Sequence, residues 1–245
     1  RIRRARAAYY GMIRELDEYI GRLWDVLEDT GQLENTVFVY TSDHGEMLGN
    51  HGLWYKNNLY EDGAHVPLVI AGAGIPEGVA VDTPVAHVDL VYTMLEWAGA
   101  ETPSELRGHS LMPMMNGEEG DHPGFAYSES HSEGNCTGSF MIRRGAWKYI
   151  HFTWYDDLLF NLADDPNEFT NRIDDPAAEE IRRELREILR GEVDPEEVTV
   201  RAFDMQERFL KDMADRLGQE GLFEALKRRL GDGQARVLAH RHAQA

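Results

Sequence analysis

VFVYTSDHGEMLGNHGLWYK, residues 37–56, opens on the unalternated apolar run Val37–Tyr40, delivers Asp43 and His44 just after it, and ends on Lys56. A run of this kind, bounded by turn residues, reads as a buried strand. Asp43 offers a hard carboxylate oxygen and His44 a borderline nitrogen, the donor types that hold a divalent cation against an ester oxygen. Lys56 supplies a cation for a tetrahedral oxyanion. Gly45, Gly49 and Gly52 let the intervening loop fold back, so that groups distant in sequence can converge. An Asp-His pair alone is common in surface turns. The strand before it and the Gly, His and Lys spacing after it point instead to transfer of a sulfuryl or phosphoryl group.

Outward from that stretch, Ile13, Leu16, Ile20, Leu23 and Leu27 recur at helical spacing, and Gly31 closes the helix. Leu68–Ala71 is a second apolar strand. A helix followed by such runs predicts a mostly parallel sheet, with ligands gathered beyond the carboxyl ends of its strands. Val88–Ala98 is a helix with Leu90, Val91, Met94, Leu95 and Ala98 as its core face, stopped by Gly99. Asp89 there is a favourable charge near the helix start, with His87 beside it.

Gly117–Pro123 breaks the pattern with Gly, Pro and acidic residues. Beyond it lie short β candidates, Phe125–Ser128, Phe140–Arg143, Lys148–Phe152 and Leu158–Asn161, with Arg144-Gly145 as a tight turn, so an antiparallel sheet is expected. The helix 177–190 turns Ile181, Leu185 and Ile188 inward to cover it. Asp194-Pro195-Glu196-Glu197 starts a further helix, and another follows around 222–230. The predicted organisation is α/β: a sheet domain over 1–120, a small α+β antiparallel subdomain over 121–192, and a helical extension over 193–245 that wraps the rest of the chain or joins a second copy as a homo-oligomer. The terminal AHRHAQA reads as a disordered tail.

Composition excludes several classes. The chain has 245 residues, is 42% hydrophobic and carries a formal net charge of −19 spread over both halves, which argues against nucleic-acid binding. No apolar run approaches the roughly 20 residues of a membrane span. A single cysteine rules out an internal disulfide and leaves the compartment open between cytoplasm and periplasm or secretion.

Ser42–Lys56 together with Leu59–Ile70, LYEDGAHVPLVI, resembles the second signature region of the type I sulfatases of the alkaline phosphatase superfamily. His87–Gly99, HVDLVYTMLEWAG, and the stretch from MIRRGAWKYIHF to LLFNLADDPNEFTN within 141–171 are similar to later parts of that family. LGNHGLWYK and MIRRGAWKYIHF are most similar to choline-sulfatase-like and iduronate-sulfatase-like members. The resemblance implies an alkaline-phosphatase-like sheet flanked by helices and a divalent ion, calcium first with magnesium or manganese as alternatives, on Asp43 and His44. It also implies a sulfate contact from Lys56, and a sulfate ester or sulfated sugar as substrate. It further implies a formylglycine nucleophile from a C/S-x-P-x-R motif. No such motif is present in the sequence, and the positions that would need Pro and Arg after Cys136 hold Gly138 and Phe140. The chain is therefore expected to correspond to the C-terminal portion of a sulfatase and to need a missing N-terminal half.

Three further positions are candidates. His51, inside the loop, is expected to hydrogen-bond the sulfate or leaving group, with a structural role as the alternative. Glu129, with His131 and Glu133 nearby in YSESHSEGN, is placed by the resemblance near the substrate mouth, against the alternative of a solvated loop. His65 reads as a packing or supporting residue.

Overall fold

The computed structural model describes residues 1–131 and 135–230, with side chains to residue 228. The expectations for Glu133 and for the terminal AHRHAQA lie outside the described residues. The chain divides into two compact units, one comprising Arg1–Ala126, Arg143–Ala146 and Leu162–Phe169, the other Tyr127–Ile142, Trp147–Asn161 and the chain from Thr170.

The first unit opens with α1 (Ile2–Asp29), β1 (Val37–Thr41), the single turn α2 (Glu61–Ala64) and β2 (Leu68–Gly72). The helix α3 (His87–Trp97) and the short α4 (Met112–Met115) follow. β1 and β2 pair antiparallel, with Thr41 opposite Leu68 and Val37 opposite Gly72. This corrects the expectation of a parallel arrangement for these strands. An unalternated apolar run reports that both faces of a strand avoid water, and carries no information on direction. The antiparallel register has a direct consequence for the site: residues 42–67 leave and re-enter the sheet at the same end of the strand pair, as one closed loop.

Packing in this unit is thin. Trp24 of α1 meets Phe38 of β1 edge-on at 6.0 Å. α1 has no buried residue, and Ile13, Leu16 and Leu23 of its apolar stripe are exposed. α3 also departs from expectation: its buried residues are Asp89, Leu90 and Thr93, while Val91 and Met94 are exposed. The polar residues win the interior because their hydrogen bonds are met there. Asp89 accepts from the backbone N–H of Ala86 (2.7 Å) and of His109 (2.9 Å); Thr93 donates to Asp89 O (2.7 Å) and accepts from Leu111 N–H (2.9 Å).

The second unit holds most of a four-stranded sheet in the order β3 (Phe125–Ser130), β4 (Ser139–Arg144), β5 (Trp147–Phe152), β6 (Leu158–Asn161). β5 and β6 pair antiparallel. Phe140, Ile142, Tyr149, Ile150, Leu159 and Phe160 are fully buried. Helix α5 (Glu179–Glu192) packs on β5 and buries Leu185 and Leu189. Asp194 caps α6 (Pro195–Leu230) by accepting from Glu197 N–H at 3.0 Å, with Pro195 at the first helical position. Gly218, at φ 71°, breaks α6, and Leu222 and Leu226 beyond the break pack with Ala214 before it.

Candidate metal and anion site

The loop between β1 and β2 is held by close backbone approaches that the sequence shows only as glycines. A Cβ on Gly45 would lie 2.0 Å from Asp62 O, so only glycine admits this contact, and Gly45 N–H donates to Gly63 O at 3.0 Å. Three non-glycine residues, Leu48, His51 and Tyr55, are held at positive φ. Such strain persists only where the surroundings over-determine it. Here Glu46 Oε1 accepts from the N–H groups of both Leu48 (3.1 Å) and Tyr55 (2.8 Å). Arg6 reaches over from α1 to donate to Leu48 O (2.8 Å) and Asn50 Oδ1 (2.7 Å), and Asn50 Nδ2 donates to Asp62 Oδ2 (2.7 Å).

Within this frame Asp43, His44 and Lys56 meet. Asp43 Oδ2 lies 3.4 Å from His44 Nε2, and Lys56 Nζ lies 2.7 Å from the same nitrogen. His44 Nδ1 is 2.8 Å from Gly45 O. A carbonyl can only accept, so Nδ1 carries the proton and Nε2 presents its lone pair, accepting from the Lys56 ammonium. Asp43 Oδ1 accepts from His44 N–H at 3.0 Å, which leaves Oδ2 turned toward Nε2. Loss of solvation pushes the Asp43 carboxyl up, but His44, the backbone N–H of His44 and Lys56 together outweigh it and hold the group below the usual carboxylate range. His87 Nε2 donates to Ser42 O at 2.8 Å and so pins the chain as it leaves β1.

His51 is engaged elsewhere in the same unit. Its ring stacks on Tyr60 at 4.3 Å, tilts against Phe169 at 4.9 Å, and Nε2 donates to Asn167 O at 2.9 Å. Burial, with the Glu168 carboxylate adding to it, raises the Tyr60 phenol above its ordinary pKa. His65 is exposed and faces Glu61 at 3.1 Å. Glu129 belongs to the second unit, where its carboxylate accepts from the Tyr127 hydroxyl and faces His131 Nε2 at 3.6 Å. Sequence reading missed Arg6 and Glu46 and read His87 only as part of a helix start. Arg6 carries no local signal, since a basic residue at the start of an amphipathic helix looks like an ordinary solvated face.

Among the described residues no group of three or more His, Cys, Asp or Glu side chains is arranged to hold a metal. Asp43 Oδ2 and His44 Nε2, 3.4 Å apart, are a carboxylate oxygen and an imidazole nitrogen, donor types that a divalent ion accepts, and in this structure the Nε2 lone pair is engaged by Lys56. Both donors lie beside the Lys56 ammonium group.

The family model described as Sulfatase matches residues 2–100, which contain all three of these residues. An arylsulfatase K of Danio rerio is 34% identical over 97% of this chain and 44% of its own length. A choline-sulfatase of Rhizobium meliloti is 41% identical over 71% of this chain and 34% of its own. Among solved structures, a phosphonate monoester hydrolase of Agrobacterium radiobacter has a TM-score of 0.69 at 32% identity, covering 76% of this chain and 40% of that one. A protein solved in complex with its substrate D-glucosamine-2-N,6-O-disulfate has a TM-score of 0.66 at 31% identity, covering 78% and 40%. The chain belongs to the sulfatase family, and it spans less than half the length of these curated relatives.

Proposed function

We propose that this chain is the C-terminal portion of a metal-dependent sulfuric ester hydrolase, to which it contributes two metal ligands and a sulfate-binding lysine. What supports the reading is the convergence of Asp43 Oδ2, 3.4 Å from His44 Nε2, and Lys56 Nζ, 2.7 Å from the same nitrogen; an ion bound there would take over the one Nε2 lone pair and release the Lys56 ammonium toward the anion. Asp43 and His44 would hold the divalent ion, calcium before magnesium or manganese. When bound, such an ion supplies Lewis-acid polarisation of the ester. Lys56 binds the anionic group and neutralises charge that develops on its oxygens. Glu46, Arg6 and His87 keep the loop in the shape that presents these groups. His51 supports the loop through Asn167 and Tyr60, and Glu129 takes no part in this reading.

Two donors leave a calcium-like ion short of the about six to eight oxygens it takes. The remaining ligands, the formylglycine nucleophile and the parallel strands of an alkaline-phosphatase-like sheet are assigned to an N-terminal half outside this sequence. The exposed Ile13, Leu16 and Leu23 of α1 are a surface for that half to cover. The substrate class is a sulfate ester, including sulfated sugars.

A second reading, hydrolysis of phosphonate monoesters or phosphodiesters, is favoured by the solved structures of phosphonate monoester hydrolases that resemble this chain at TM-scores of 0.69 and 0.64. A third, a non-catalytic chain acting as an assembly module, draws on the same exposed α1 stripe. One experiment separates them. The purified chain, the chain co-expressed with the sequence encoded upstream of Arg1, and a Lys56→Ala form of that pair are assayed on an aryl sulfate and an aryl phosphonate. The proposal expects no turnover by the chain alone, sulfate turnover by the pair, and a loss of at least about a hundredfold on Lys56→Ala. Turnover by the isolated chain, or full activity without Lys56, overturns it; preference for the phosphonate selects the second reading, and an inactive but stable pair the third.

A further inference from the structure

We propose that the outer face of α6 pairs with the same face of a second copy of this chain, antiparallel and about a two-fold axis. Glu197, Val200, Arg201, Asp204, Met205 and Arg208 lie at helical spacing along one stripe, and every one of them is exposed. Val200 and Met205 are large apolar side chains left 48% and 64% exposed. The charges along the stripe alternate in sign, from Glu197 through Arg201 and Asp204 to Arg208.

That order is complementary to itself only when reversed. With the axis beside Ala202 and Phe203, Glu197 faces Arg208 of the second copy, Arg201 faces Asp204 of the second copy, and Val200 shares a layer with Met205 of the second copy. Symmetry repeats each contact, as an isologous interface requires. A parallel, in-register pairing would instead set each charge against its like. Within the chain Arg201 faces Glu197 at 3.5 Å, with both side chains 66% exposed, and Asp204 and Arg208 make no ion pair among the described residues. The guanidinium of Arg201 has donors to spare for a second carboxylate. Because the chain carries a net charge of −19, two copies repel one another except where a patch supplies local complementarity, and this stripe does so.

The inference is independent of the hydrolase reading, since association is measured without substrate. Sedimentation velocity of the 245-residue chain is run over a range of concentrations in low and in moderate salt. A reversible dimer, weaker in salt, is expected. Arg208→Glu loses two opposite-charge contacts and creates two like-charge ones, so the dissociation constant should rise about tenfold. Adding Glu197→Arg to it restores the pairing and should return the constant to that of the unmodified chain. Asp204 lies close to the axis, so Asp204→Cys in a Cys136→Ser background should oxidise to a cross-linked dimer. Circular dichroism checks that each variant keeps its helix. A chain that stays monomeric throughout, association that Arg208→Glu leaves unchanged, or a double variant that stays weak would each overturn the proposal.

Discussion

β1 and β4 are short strands of similar length, each with an apolar centre, yet they live in different surroundings. Every residue of β1 is half-buried, and the helix beside it has no buried residue. β4 runs through Ser139, Phe140, Met141 and Ile142, all buried, between β3 and β5 and in the unit that α5 covers. The second unit has built its own core within this chain. The first unit spends its order on hydrogen bonds around a loop and leaves apolar surface open. Burial is the dominant favourable term in folding, so stability should concentrate in the second unit even though the candidate site lies in the first.

The sharpest way to break this comparison is to cut the core where it is tightest. Phe140→Ala removes a ring with no exposed surface and should cost about 3–5 kcal/mol in urea unfolding followed by circular dichroism. A cost below about 1 kcal/mol would mean that the sheet is not where stability resides. Next in size is Gly138→Ala. The added Cβ would lie 2.2 Å from Thr199 Oγ1 and 3.0 Å from His131 Nδ1, and overpacking of this kind should cost about 1–3 kcal/mol.

Acid sharpens the same contrast. The Arg190 guanidinium grips Glu196 at both ends, at 2.5 and 2.8 Å, and this hydrogen bonding, working against partial burial, holds the Glu196 carboxyl down at about 2 from an ordinary 4.5. A carboxyl depressed in the folded state adds stability above its unfolded pKa and gives it up as pH falls through its folded pKa. The contribution should therefore be complete above pH 4.5 and lost by about pH 2. Both side chains are nearly half exposed, so solvent limits the effect to about 1 kcal/mol, and Glu196→Gln should remove that part of the acid dependence. The smallest effect is expected from Leu16→Ala in α1, within about 0.5 kcal/mol in the same urea experiment, because this side chain is already 45% exposed. A loss as large as that of Phe140→Ala would show the α1 stripe to be packed and would erase the difference between the units.

The buried groups of the second unit show how polar residues survive in a tight core. Tyr149 donates to Asp157 Oδ2 at 2.5 Å and His151 Nδ1 to Asp157 Oδ1 at 2.8 Å. Burial pushes the Asp157 carboxyl up, but the bonds from His151 and Tyr149 outweigh it and leave the group below its ordinary value; burial, joined by the bond to Asp157, raises Tyr149 well above its own. In the first unit Asp89 plays the corresponding part, and its bonds decide which face of α3 turns inward.

By itself the sequence determined what depends on neighbours along the chain. The helical spacing of α1, α5 and α6, the short strands β3 to β6, the Asp194 and Pro195 start of α6, and the Asp43, His44 and Lys56 triplet beyond an apolar strand were all legible, because periodicity, capping and donor chemistry are local. Tertiary structure alone decided that β1 and β2 run antiparallel, that Thr41 and Leu68 close the site loop at one end of the pair, that Arg6 and His87 pin that loop from two helices, and that Asp89 and Thr93 rather than Val91 and Met94 face inward. Each of those outcomes is a choice among partners far apart in sequence, settled by which backbone and side-chain polar groups can be satisfied together once apolar surface has left water.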